Sequence, residues 1–335
     1  MTININGVDK RIGLALSGGG YRATAFHLGV FRKLQQKGLL WKLDLLSCVS
    51  GGSIAGAYLA TNWGDDSALD RLDRYLSTQS IAVSSVVGGL LSPFESRLDK
   101  LMERYAEDLF GAKTLDDLKA GPRIYLNATN LSTGNMFFFV AGENKDSEMG
   151  EHELGVKPAP EFTVARAVAA SSAFPPVFPP MKIDRSEYDV EGVDYVTLTD
   201  GGVYDNLGVN PTFRSRNALD YVLVSDAGKP FENDATPTES SAVVLKESLT
   251  ILMEQVRGLE FKRLQLTSAQ PDEFNAIWFS IDSREGEAQS GDASFASSIK
   301  TNLSRLSQPE RDVLSRHAGA LLEHRLQTYA PELLV

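Results

Sequence analysis

One cysteine in 335 residues, Cys48, leaves no intramolecular disulfide framework and no cysteine-rich zinc site. Positive charge is also short. Lys and Arg number 33 against 44 Asp and Glu, a formal net charge of −11. No basic cluster stands out, so a nucleic-acid polymer is not an expected partner. The same balance repels anionic lipid at long range, and any membrane contact would have to rest on local apolar surface. No run reaches ~18 uninterrupted apolar residues, which argues against a membrane-spanning helix. The opening stretch from Met1 to Gly13 has no basic segment leading into an apolar one, so no secretory leader is expected and the expected location is the cytoplasm. Histidine is scarce, and no histidine–carboxylate spacing suggests a metal site, so neither metal nor cofactor is expected.

What the chain does have is ordinary globular material, 42% hydrophobic and 23% charged, enough for a substantial core. "RIGLALS" (Arg11 to Ser17) reads as a buried strand ending in glycines. Phe26, Val30 and Leu34 then recur at helical spacing up to Gly38. Leu43 to Val49 is a second strand, followed by an Ala- and Gly-rich helix from Ser53 to about Trp63. This β-α-β-α order predicts a parallel sheet with helices packed on it. Asp66 to Leu76, Glu95 to Phe110, 242–264 and 309–328 read as helices. Strands are predicted at 123–131, 136–140, 194–198, 220–226 and 276–282. Gly142 to Glu151 reads as an exposed loop, as do 230–240 and 283–296. With no repeat, low-complexity tract or long linker, one α/β domain over 1–335 is expected.

Three glycine corners carry the chemistry. "SGGGYRA" (Ser17 to Ala23) follows a strand and opens a helix, so its backbone N–H groups could cradle an oxyanion or a phosphate. A tight turn without chemistry is the plain alternative. Gly18, Gly20 and Ala23 also satisfy the dinucleotide fingerprint G-x-G-x-x-G/A, which expects an acid at the end of the next strand. Asp44 instead stands at that strand's start. The second corner, Cys48-Val49-Ser50-Gly51-Gly52, approximates the nucleophile elbow G-x-S-x-G, with cysteine in place of the first glycine. Cys48 itself should lie within the sheet as an inert thiol. The third, "LTDGGVYDNLGV" (Leu198 to Val209), delivers Asp200 to a strand end. Asp226 is a competing strand-end carboxylate, ranked second because Asp200 has the tighter glycine turn. None of His27, His152, His317 and His324 occupies a glycine-flanked strand end, so a Ser-Asp dyad is favoured over a Ser-His-Asp triad.

In this order the three corners resemble the patatin-like phospholipase family, as do "NATNLSTG" (Asn127 to Gly134), "AVAASSAFPPVFPP" (Ala167 to Pro180) and the tail Ile299 to Leu322. The resemblance implies a three-layer α/β/α fold with a mainly parallel central sheet. It implies hydrolysis of lipid acyl esters through an acyl-serine, with Ser50 as nucleophile, Asp200 as base, and Gly18, Gly19 and Gly20 as the oxyanion hole. Arg22 is then expected either to order the glycine loop or to meet a lipid phosphate, and Gly51 to join it in holding substrate. Ser17 stands where many members carry aspartate. The implied partners are a membrane phospholipid or other lipid ester, reached by peripheral membrane association. A nucleotide second-messenger activator also comes with the resemblance, while the sequence leaves open whether the protein is an oligomer. The apolar stretch Ser80 to Phe94 is a candidate lid or membrane-touching loop within an 80–120 helical insertion, with core packing as its alternative, and 297–330 is a C-terminal helical region. Two other classes stay open: a non-catalytic lipid carrier of the same fold, and an NAD(P)-binding oxidoreductase.

Overall fold

The short apolar runs pair as strands, and the helical stretches between them cover both faces of the resulting sheet. The structure is a computed structural model that describes residues 2–81, 97–228, 230–231 and 240–334. A hairpin of β1 (Ile3–Ile5) and β2 (Val8–Lys10) precedes β3 (Ile12–Leu16), α1 (Gly20–Gln36), β4 (Leu45–Val49), α2 (Gly51–Thr61), α3 (Ala68–Thr78) and α4 (Arg97–Tyr105). Next come β5 (Arg123–Asn130), β6 (Met136–Ala141), β7 (Glu148–Glu151), β8 (Gly155–Pro158), α5 (Val164–Ser171), β9 (Met181–Asp184) and β10 (Tyr195–Asp200). The chain continues through α6 (Gly202–Asp205), β11 (Tyr221–Asp226), α7 (Ser241–Ser268), β12 (Asn275–Ser280), α8 (Asp292–Ser298) and α9 (Gln308–Tyr329).

The main sheet runs β12-β11-β3-β4-β5-β6-β7-β8, with β10 added to β5 and β9 to β10. Its centre, from β12 to β5, is parallel. The extension through β8 and the β9–β10 ribbon are antiparallel. Side-chain alternation separates the layers. Leu14, Leu16 and Leu223 face the core shared with Phe26 of α1 and Leu321 of α9. Ala15, Val222 and Val224 face the other way and pack with Leu264 of α7. Three layers result, as the resemblance implies.

Some local expectations need correction. Gly142 to Glu151 is not all loop, because Glu148–Glu151 forms β7 between β6 and β8. Its glutamates hid a strand whose inward residues, Met149 among them, are buried. Segment 283–296 contains the start of α8, and the helix α5 had no sequence signal strong enough to mark it. The candidate lid lies outside the described residues beyond Ile81. No described helix is long and apolar enough to cross a membrane.

Candidate active site

Ser50 joins β4 to α2 with φ 52° and ψ −116°, a conformation that L-residues rarely adopt and that costs roughly 1–3 kcal/mol. The neighbouring glycines make it sterically feasible. A Cβ on Gly51 would run into the Gly20 carbonyl, and one on Gly52 into that of Leu16. Ser171, at the end of α5, fixes the elbow from below. Its hydroxyl accepts the Ser50 N–H at 3.0 Å, meets the Ser53 hydroxyl at 2.8 Å and donates to the Asn127 carbonyl at 2.6 Å. Nothing local in the sequence marks Ser171 for this role, since its contacts reach distant backbone at Ser50 and Asn127.

Strand pairing brings the third corner to the second. On β5, Asn127 is the partner of Val49, and the next residue, Ala128, is the partner of Asp200. Asp200 therefore occupies the ladder step just beyond Val49, beside Ser50. Its Oδ1 accepts the Gly202 N–H at 2.7 Å. Oδ2 is buried and takes no hydrogen bond of ordinary geometry from the described residues. The Ser50 hydroxyl is the side chain that bears on this carboxylate. Burial pushes the Asp200 pKa up to about 6, with the Gly202 N–H and the Ser50 hydroxyl pulling the other way.

The first corner lies against the nucleophile: a Cβ on Gly18 would come within 3.3 Å of the Ser50 Cβ. The Gly18 N–H donates to the Asn206 carbonyl at 3.0 Å. The N–H groups of Gly19 and Gly20 have no acceptor among the described residues. Positive φ at both, 139° and 59°, shapes the loop before α1. Gly51 has the same free N–H at the start of α2. Of the two roles expected for Arg22, position supports only the ordering one. Its guanidinium is fully buried and donates to the Ala227 carbonyl at 2.8 Å and to that of Ile299 at 3.0 Å, so it is not placed to meet a lipid phosphate. Ser17 ties the same loop by accepting the Ala227 N–H at 2.7 Å.

Competing groups are occupied elsewhere. Asp226 accepts from Arg257 Nε at 2.7 Å and Ser280 Oγ at 3.0 Å. Asp44 accepts the Ile12 N–H at 2.9 Å at the far end of the strands, where it could not hold a ribose at the glycine loop. His27 contacts Ser225 Oγ and the Ser17 carbonyl, both at 2.9 Å, and burial lowers its pKa to about 4. A neutral ring donating from Nε2 and accepting at Nδ1 fits both contacts. His317 bonds the Ile281 carbonyl and His324 faces Glu285. Cys48 is buried, and burial raises its pKa, leaving an unreactive thiol. His152 lines a separate cavity of about 210 Å³ with Tyr204, Arg214 and Arg263, and neither Ser50 nor Asp200 lines that cavity.

Among solved structures, human GIVD cytosolic phospholipase A2 is similar over 97% of this chain and 62% of its own, with TM-score 0.61 and 13% identity. The same protein bound to methyl gamma-linolenyl fluorophosphonate and terbium chloride matches with TM-score 0.61 and 15% identity, over 97% and 59% of the two chains. VipD from Legionella pneumophila matches with TM-score 0.42 and 14% identity, over 97% and 66%. The chain thus spans about three fifths of the human protein's length, and the likeness is one of fold. No curated protein sequence matches. The family described as patatin-like phospholipase matches residues 14–213, more than half the chain, and the chain belongs to that family.

Proposed function

We propose that the protein is a lipid acyl hydrolase of phospholipase A type that works through Ser50 and Asp200. The observation that carries this reading is the ladder step that sets a buried carboxylate, on which the Ser50 hydroxyl bears, beside that serine held at positive φ. A lipid carrier has no need for that strained backbone. In the acylation step Asp200 takes the Ser50 proton as Oγ attacks the ester carbonyl. Charge gathers on the carbonyl oxygen, where the Gly19 and Gly20 N–H groups donate to it, with Gly51 adjacent. The C–O bond of the ester breaks, Asp200 returns the proton to the departing alcohol, and the acyl group stays on Ser50. Water then attacks the acyl-serine, losing a proton to Asp200, and the fatty acid leaves as the proton passes back to Ser50.

Free fatty acid release from mixed phospholipid vesicles, compared between the native protein and Ser50→Ala, tests this. The variant should lose release by about 10³-fold or more, because the covalent step disappears. Equal release from both would remove Ser50 from the mechanism. Vesicle binding without release from either would support the carrier.

A further inference from the structure

Leu245, Leu252, Leu259 and Leu266 recur every seven residues along α7, so they form one line about 32 Å long on the helix surface. All four stand in solvent, at 72%, 60%, 70% and 57% exposure, flanked by exposed Val244 and Ile251. Singly exposed leucines are unremarkable, but a continuous stripe of them marks an interaction surface. Charge narrows the occupant. Among the described side chains between Val244 and Leu266 the exposed polar ones are Ser248, Gln255, Lys262, Arg263 and Gln265, with Arg263 turned to Asn210 Oδ1 at 3.0 Å and Glu260 at 3.6 Å. In a chain of net charge −11, this face is apolar and carries Lys262 with no exposed carboxylate beside it among the described side chains. The helix's inner side reaches the catalytic corner. Met253 Cε would lie 3.2 Å from a Cβ on Gly202, two residues after Asp200, and Arg257 holds Asp226.

We infer that the outer face of α7 docks the protein on a bilayer that carries anionic lipid, with Leu245, Leu252, Leu259 and Leu266 entering the interface and Lys262 meeting the headgroups. A line of leucines with a basic side chain beside it buries apolar area in the interface and gains from anionic headgroups. Long-range repulsion by the acidic body is overcome at close range, where the leucines are buried and the local charge is favourable. A second copy would suit the seven-residue repeat. It would also press the Lys262 of each copy into a seam with no exposed carboxylate among the described side chains, so charge favours the membrane. The inference rests on the acyl-hydrolase reading for its purpose, since it sets the dyad over its substrate, but binding can be measured without turnover.

Flotation with vesicles of phosphatidylcholine alone, or of phosphatidylcholine mixed with phosphatidylglycerol, decides it. Every protein in this experiment carries Ser50→Ala, which keeps the vesicles intact. Binding to the mixed vesicles should fall by roughly tenfold or more when Leu252→Ser and Leu259→Ser are added together. Lys262→Glu, on an exposed side chain that leaves the fold alone, should weaken binding to the mixed vesicles and leave binding to phosphatidylcholine unchanged. Unaltered flotation of the leucine variant overturns the inference. So does a dimer, seen by sedimentation, that the leucine variant splits while its vesicle binding persists. With Ser50 restored, the leucine variant should still cleave a short-chain soluble ester and lose activity on vesicles. If the native protein cleaves no ester at all, the acyl-hydrolase reading fails, and flotation alone decides the docking surface.

Discussion

Burial lifts the Asp200 carboxyl from the usual 3.8 to about 6, which brings a weak base closer to useful strength. The acid limb of kcat/KM should therefore have its midpoint near pH 6 rather than near 4. The same shift acts on stability. A raised carboxyl pKa means that the folded protein holds the proton more tightly than the unfolded chain, so this group's contribution falls as pH climbs from about 4 through 6. Asp200→Asn should abolish turnover and raise unfolding free energy at pH 8 by about 1–3 kcal/mol, with little gain at pH 4. Urea denaturation at the two pH values checks this, and a variant less stable at pH 8 would show that the charged carboxylate is stabilised where it lies. Ser171 works through Ser50 and is a positioning residue. Ser171→Ala leaves a buried N–H without its acceptor and lets the elbow relax. We expect kcat to fall roughly 10- to 100-fold, with KM and the acid-limb midpoint unchanged. A shifted midpoint would instead place Ser171 in the proton transfer.

At the scale of elements, strand-to-helix corners were easy to read because apolar runs ending in glycine leave few alternatives, and both Ser50 and Asp200 fall at such ends. Their meeting was not readable. It depends on β5 bonding β4 along one stretch and β10 along the next, a pairing between segments some 70 residues apart in sequence. The partner of the Gly18 N–H was not readable for a similar reason, since Asn206 lies on a loop that no local pattern links to it. The strand β7 was hidden by glutamates that pair at its edges, with Glu151 accepting from Asn130 and Thr133. α7 was legible as a helix, whereas its exposed leucines became apparent only once its packed side was known. Gly258 lies in the middle of α7, and a Cβ there meets nothing within 4 Å. Gly258→Ala should raise stability by about 0.5–1 kcal/mol through helix propensity alone, read by thermal or urea denaturation. A loss of stability would mean that the exposed face has a covering against which the added methyl collides.

Over the whole molecule, the three corners span Gly18 to Asp200, and the patatin-like phospholipase match covers the same stretch, from 14 to 213. The remaining third supplies α7 and α9, which close the two helical layers over the sheet. Acidic charge spread over the body sets off the long apolar face of α7 among the described residues, so the charge that argues against general lipid attraction also makes that face distinctive. All of this converges on a nucleophile at one position. The most direct test is to incubate the native protein with a fluorophosphonate lipid analogue and locate the adduct by peptide mass spectrometry. The account predicts a single adduct on Ser50, absent in Ser50→Ala and formed much more slowly in Asp200→Asn. An adduct on another residue, or labelling at Ser50 that Asp200→Asn leaves unchanged, would contradict it.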